Sequence, residues 1–255
     1  MSLQAVIVTS QILVGRQRIA IGVLDRNSPV DDVRVHVRVY RGTPSDPQAT
    51  EADAPFKSEG LQGRGIYVAN LSFGAAGQWV AEVTMQRGAS PATQARLSLN
   101  VTTSGPVPSV GQPAPRSRNP TRHDVADVRD IDSGIPPDDM HELSIADAIA
   151  QHRPALVVFA TPAFCTSAMC GPEVHAVELL EPAYRERVAF IHVEIYQDFR
   201  PDPTKMRLSA TVGEWKLQSE PWVFLIDREG LIASAFEGPT ATDELRAAIG
   251  AMLGP

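Results

Sequence analysis

The sequence predicts two domains of different class. An all-β sandwich occupies residues 1–104, an α/β domain occupies 142–255, and a proline-rich segment, 105–141, lies between them. Three observations carry this prediction. "VRVHVRVY" (Val33 to Tyr40) alternates apolar and polar residues strictly, the period-two signature of a strand with one buried face. Seven of the 21 prolines fall between Pro106 and Pro137, among charged and small polar residues. That composition marks a linker or wrapping segment rather than regular structure. Beyond Glu142, short continuous apolar runs alternate with stretches of helical periodicity, as buried strands and their covering helices require.

In the first domain, "RIAIGVLD" (Arg18 to Asp25) is apolar and β-rich. Val33, Val35, Val37 and Val39 face one side of the next strand; Arg34, His36 and Arg38 face the other. "GIYVANLSF" (Gly65 to Phe73), "GQWVAEVTM" (Gly77 to Met85) and "ARLSLNVT" (Ala95 to Thr102) continue the pattern, with turn residues between them. Six or seven short strands in about 100 residues predict an immunoglobulin-like sandwich. "GIYVANLSFGAAGQWVAEV" resembles small bacterial extracytoplasmic sandwich modules, and the resemblance implies that its two strands form a hairpin.

In the second domain, "LSIADAIAQH" opens with Ser144 and carries Asp147 three residues on, a helix start of the capping-box type. "ALVVFA" (Ala155 to Ala160) and "VAFIHVEI" (Val188 to Ile195) read as buried strands. Between them, "GPEVHAVELLEPAYRE" places Val174, Val177 and Leu180 on one helical face, and Pro182 ends or kinks that helix. "WVFLID" (Trp222 to Asp227) and "LIASAFEG" (Leu231 to Gly238) flank "REG" as a hairpin. "TDELRAAIGAML" closes as an amphipathic helix with Leu245, Ile249 and Met252 inward.

Charge and composition remove several classes. The formal net charge is −7, which disfavours nucleic acid as a partner. Hydrophobic residues make up 43%, enough for two cores. No apolar run of about 18 residues spans a membrane. "MSLQAVIVTS" lacks the basic start and apolar core of a signal peptide, and its "MSL" can be read as an expression remnant. The two cysteines do not make a disulfide framework.

The α/β order, with cysteines between the first buried strand and the next helix, resembles the thioredoxin-like superfamily, in its extracytoplasmic thiol–disulfide oxidoreductase and peroxiredoxin branches. "VGQPAP" (Val110 to Pro115) is similar to the lead-in motif of those branches, so the resemblance starts at about residue 109. "ALVVFATPAFC" is similar to the strand leading to the active-site cysteine, and "SEPWVFLIDREG" to the segment that carries the cis-proline and the following hairpin. The motif departs from the usual C-G-P-C. "CGPE" has Glu173 where the second cysteine would stand, and the other thiol lies upstream, giving C-x4-C. The same stretch is similar to the peroxiredoxin P-x-x-x-T-x-x-C with one extra residue, and to the C-x-x-x-C-P of Sco-type copper chaperones with one residue more between the thiols.

The resemblance implies Cys165 and Cys170 as catalytic. Pro162, Pro172, Glu220, Pro221 and Trp222 support them, with Pro221 as the cis-proline beside the sulfur. It implies a protein thiol or disulfide as partner, no cofactor, no resident metal, and an extracytoplasmic setting with which a membrane tether outside this chain is compatible. Physics places a thiolate near Cys170, because "GPE" opens a helix whose unpaired N–H groups and dipole favour an anion. A C-x4-C loop also suits a disulfide. Four readings therefore stand: thiol–disulfide exchange or redox chaperoning, a structural staple in a non-enzymatic binding or scaffold protein, peroxide reduction at Cys170, and copper carriage. Thiol–disulfide exchange leads. No arginine in "SEPWVFLID" activates a peroxide, and "GEWKLQSEPWVFLID" has no histidine for copper.

The remaining candidates have plain defaults. His175 reads as a solvent-facing helix residue and His36 as an exposed strand residue. His192 reads as a strand histidine with a satisfied hydrogen bond, and Glu194 and Asp198 as surface carboxylates or caps near a parallel strand end. Trp215 and Trp222 flank Glu220–Pro221 and fit either a partner groove or the core.

Overall fold

The computed structural model describes residues 3–254, so Met1 and Ser2 of the "MSL" reading lie outside the described residues. The chain divides into two compact units. One comprises the residues up to Lys57 and Gly65–Gly105; the other comprises Ser58–Arg64 and the chain from Pro106 onward.

The first unit is a β-sandwich. Its strand segments, in chain order, are β1 (Leu3–Ile7), β2 (Ile12–Leu13), β3 (Gly15–Asp25), β4 (Ser28–Pro29), β5 (Val33–Tyr40), β6 (Thr50–Asp53), β7 (Phe56–Lys57), β8 (Ile66–Phe73), β9 (Gly77–Arg87) and β10 (Thr93–Thr102). One sheet runs β1-β3-β8-β7 with β4 on β3; the other runs β2-β10-β9-β5-β6. The strict alternation in β5 does what period two requires: Val33, Val35, Val37 and Val39 are buried in the core between the sheets. The implied β8–β9 hairpin does not form. β8 pairs with β3 and β7, whereas β9 pairs with β5 and β10, so the turn after Phe73 carries the chain across the sandwich. The physical reason is aromatic. Phe73 and Trp79 are both fully buried and meet edge-on with centroids 5.2 Å apart, which puts one ring from each sheet into the shared core.

The second unit is mixed α/β. It contains α1 (Ile145–Ala150), β11 (Ala155–Ala160), α2 (Cys170–Glu178), α3 (Glu181–Tyr184), β12 (Ala189–Glu194), β13 (Tyr196–Gln197), β14 (Arg207–Leu208), α4 (Ala210–Trp215), β15 (Trp222–Ile226), β16 (Ile232–Glu237) and α5 (Thr242–Leu253). Its sheet runs β12-β11-β15-β16, with β11 and β12 parallel and the other pairs antiparallel. β11 is buried on both faces, as its unbroken apolar run requires. Val157 and Phe159 pack into one apolar cluster, and Leu156, Val158 and Ala160 into another. Ser144 caps α1 by accepting the Asp147 N–H at 3.1 Å. α2 ends at Glu178, and Pro182 sits in the first turn of the short α3.

The segment 105–141, expected as a linker or a wrapping segment, belongs to this unit from Pro106 onward and wraps it. Prolines deny it regular structure beyond one 3₁₀ turn, yet it covers both open edges of the sheet. At β16, Gly111 and Ile232 join by a backbone hydrogen bond of 2.8 Å, as do Ile232 and Gln112; at β12, the His192 N–H donates to the Met140 carbonyl at 2.8 Å. Its Val107, Ala114 and Met140 are buried in the core. Ser58–Arg64 joins the same unit through Leu61, buried with Ala176 and Ala241. No helix among the described residues is long and apolar enough to cross a membrane.

Candidate functional site

β11 ends at Ala160, and the next nine residues form a loop that leads into α2. Phe164 fixes the loop from within, packing on Phe199 at 5.5 Å and Tyr196 at 6.3 Å between ring centroids. Cys165 and Cys170 are joined as a disulfide with a Cα–Cα distance of 5.9 Å. The two sulfurs occupy different environments. Cys170 is the first residue of α2 and is fully buried among Leu156, Val158, Val174 and Val223. Cys165 is only partly buried, its Sγ lying 3.2 Å from Ser167 Oγ.

No side chain caps α2 at Met169. Instead, the Cys170 N–H donates to Cys165 Sγ at 3.3 Å. The helix start therefore serves the upstream sulfur. This moves the anion-stabilising position from Cys170, where the sequence reading placed it, to Cys165. The reason is geometric: a residue at the first helical position points its own side chain away from the axis, while its N–H points out at whatever precedes the helix.

Pro172 lies in the first turn of α2, buried, and Pro162 is half-buried in the loop. Pro221 is buried, its peptide bond to the half-buried Glu220 is cis, and its carbonyl accepts the Gly238 N–H at 2.9 Å. The antiparallel register pairs Phe159 with Trp222, so Pro221 stands level with the end of β11 from which the cysteine loop departs. Trp222 and Trp215 are core residues, not walls of an open groove. Trp222 stacks on Phe224 at 5.4 Å and donates its indole N–H to Ser219 at 3.0 Å; Trp215 is enclosed by Phe159 and Phe224.

A second constellation was not legible as such. Asp132, Asp138, His141 and His192 each offer one donor atom, all within 4.8 Å of one another. None of the four side chains is more than 4% exposed. His192 Nδ1 lies 2.7 Å from Asp138 Oδ2 and 3.9 Å from Asp132 Oδ2. His141 Nε2 lies 3.2 Å from Asp132 Oδ2 and 3.3 Å from Asp138 Oδ1. Burial alone would strip the proton from His192, but the charge and hydrogen bond of Asp138, with Asp132 and Glu194 behind, push its pKa up to about 10. Burial likewise opposes charge on His141, and Asp132 and Asp138 outweigh it to raise that pKa. Against its own burial, Asp138 is held well below the usual carboxylate range by His192 and His141. Three of the four residues come from the proline-rich segment 105–141; a D-x5-D-x2-H spacing there was the available signal. Glu194 is no surface carboxylate: it is buried and accepts the Ser133 N–H at 2.9 Å. His36 and His175 are partly exposed and pair with Asp53 and Glu178.

No protein-family model matches this chain, and no curated protein does. Among solved structures, a DUF4426 family protein from Pseudomonas aeruginosa PAO1 is 10% identical with a TM-score of 0.29, covering 40% of this chain and 91% of that one. The soluble domain of PmoD from Methylocystis sp. is 14% identical with a TM-score of 0.27, covering 39% of this chain and 90% of that one. Likeness of this degree assigns neither a family nor a function.

Proposed function

We propose that the chain is a thiol–disulfide oxidoreductase or redox chaperone of an extracytoplasmic compartment, built on a thioredoxin-like second domain, with Cys165 as the attacking sulfur. The observation that carries the reading is the asymmetry of the pair. Cys165 Sγ is partly exposed and receives a backbone N–H from the start of a nine-residue helix, while Cys170 is enclosed. An accessible, anion-stabilised sulfur attacks; an enclosed one resolves. The order helix, strand, cysteine loop, helix, strand, helix, hairpin, helix supports the fold reading, and the placement of Pro221 at the end of β11 supports the site.

The exchange balances as follows. In the dithiol form, the Cys165 thiolate attacks a partner disulfide, forming a mixed disulfide and releasing one partner thiolate. The Cys170 thiol then loses its proton to solvent and attacks Cys165 Sγ, closing the ring and releasing the second partner thiolate. Two electrons pass from the protein to the partner; the reverse sequence oxidises a partner dithiol.

The full burial of Cys170 also favours a second reading, a structural staple in a binding or scaffold protein. One experiment separates the two. Cys170→Ser should accumulate a mixed disulfide with a model disulfide such as glutathione, Cys165→Ser should not, and the wild-type protein should catalyse insulin reduction by dithiothreitol. A wild-type protein inert towards insulin, with a pair that resists mild reductant, would establish the staple. Trapping through Cys170 instead of Cys165 would overturn the assignment of the attacking sulfur.

A further inference from the structure

We infer that Asp132, Asp138, His141 and His192 form a binding site for a divalent transition-metal ion, with Zn²⁺ the best match to the donor set. The inference is independent of the thiol chemistry.

The four donor atoms converge. Zn–N bonds of about 2.0–2.1 Å and Zn–O bonds of about 2.0–2.2 Å place the ligand atoms of a tetrahedron about 3.3 Å apart. His141 Nε2 lies at 3.2 and 3.3 Å from its two carboxylate oxygens, and His192 Nδ1 at 3.9 Å from Asp132. The His192–Asp138 contact of 2.7 Å must open by about half an ångström, and all four donor atoms already lie within 4.8 Å of one another. Two imidazoles and two carboxylates are borderline-to-hard donors, which suits Zn²⁺ and disfavours Cu(I).

The donor groups are also held in orientation. Metal-bound histidines characteristically donate the other ring N–H to a carbonyl or carboxylate, which fixes the ring. His192 Nε2 lies 3.3 Å from the Ala160 carbonyl, leaving Nδ1 aimed into the cluster. The carboxylates are held in the same way by backbone N–H groups. Gly134 donates to Asp132 Oδ1 at 2.7 Å, Asp138 to Asp132 Oδ2 at 2.8 Å, and Met140 to Asp138 Oδ1 at 2.9 Å.

The two carboxylates are buried and together match the charge of a divalent ion. A cleft of about 270 Å³ bordered by Asn119, Ile131, His192 and Glu194 brings solvent to the strand that carries His192.

The test uses the oxidised full-length protein, stripped with a chelator and titrated with Zn²⁺ and, separately, Co²⁺. We expect one equivalent of each, with the intense visible absorption of four-coordinate Co²⁺ in a nitrogen–oxygen site. Asp138→Asn and His141→Gln should each weaken Zn²⁺ binding by more than the roughly 100-fold that losing a supporting partner costs, while the Cys165→Ser/Cys170→Ser double variant binds normally. The Co²⁺ spectrum of the wild-type protein needs no variant to fold. A sulfur-to-cobalt charge-transfer band, or a folded wild-type protein that takes up neither ion at micromolar concentration, would overturn the site and leave a buried ion-pair network.

Discussion

Reducing the Cys165–Cys170 bond tests the thiol argument quantitatively. The cross-link spans a sequence separation of 5, a ring of six residues counting both ends. Loop-closure entropy for a ring of this size stabilises the folded state by about 2 kcal/mol through the unfolded chain. By itself that corresponds to roughly 40 mV for a two-electron couple. The reduced protein recovers part of it. Once freed, Cys165 Sγ keeps the Cys170 N–H at the start of α2, and a negative charge there gains roughly 0.3–1 kcal/mol. That gain exists only when the sulfur is ionised. An anion stabilised in the folded state adds stability as pH rises and loses it as pH falls. The oxidised-minus-reduced gap should therefore be about 2 kcal/mol at pH 6, and Cys165, only partly ionised at pH 8, should narrow it there by about 0.1–0.4 kcal/mol. The unfolded Cys170 thiol ionises over the same range and widens the gap by about 0.2 kcal/mol at pH 8, a contribution measured separately in reduced Cys165→Ser. Hydrogen exchange of the β11 amides, measured with and without reductant at both pH values, reads the gap within the second unit alone. Reduced wild-type protein that gains no stability relative to Cys165→Ser between pH 6 and pH 8 would refute the claim that the helix start serves Cys165.

Four further perturbations have expected outcomes. Phe159→Ala removes a fully buried ring that touches Trp215 and Phe224, and should cost about 3–5 kcal/mol by denaturant titration. Ser117→Ala leaves the Trp215 indole N–H and the Glu214 carboxylate without their shared hydroxyl partner and should cost about 1–3 kcal/mol; a neutral result would mean that water replaces it. Gly65→Ala would drive a methyl group into the Lys57 carbonyl and the Phe56 ring, so it should lower the melting temperature of the sandwich and leave thiol chemistry unchanged. Arg129→Ala should leave the unfolding midpoint unchanged, because its pair with Asp127 lies at the surface, where water already solvates both charges.

What the sequence discloses follows from range. Local patterns survive inspection of the chain alone. The valine alternation gives β5, the unbroken run Ala155–Ala160 gives a buried central strand, and Ser144 and Pro182 give helix boundaries, because each rests on neighbours a few residues away. Pairing rests on distant partners and is harder to read. The stretch through β8 and β9 has the turn residues of a hairpin, yet its aromatics are better satisfied across the sandwich than side by side. Whether the segment 105–141 links or wraps could not be read from the chain, because proline removes periodicity and covering a sheet edge needs single hydrogen bonds and scattered apolar residues rather than a period. The cysteine loop was legible as a site, but which sulfur faces the helix start depends on a backbone direction that spacing does not encode. The histidine–aspartate cluster joins residues up to 60 positions apart, Asp132 to His192, so only the fold assembles it.

The two sites draw on one end of the same sheet. The Ala160 carbonyl, last in β11, faces the imidazole of His192, and the cysteine loop starts one residue later. Ser133, next to Asp132, accepts the Ala163 N–H from that loop at 3.1 Å and donates its own N–H to Glu194. Met140, next to His141, packs in the cluster that encloses Cys170. Asp132 and His141, two of the three cluster residues from the proline-rich segment, thus each have a neighbour that touches the wall or floor of the thiol loop. An irregular segment has little intrinsic preference to hold such a position, since it gains no ladder of backbone hydrogen bonds. Something must pin it, and four converging buried groups do so. The cluster is then the support that keeps the loop's aromatic anchor, Phe164, and its partly exposed sulfur in place, while α2 supplies the electrostatics. Disturbing the cluster should loosen the cysteine loop before it unfolds the sheet, because β11 retains its paired strands on both sides.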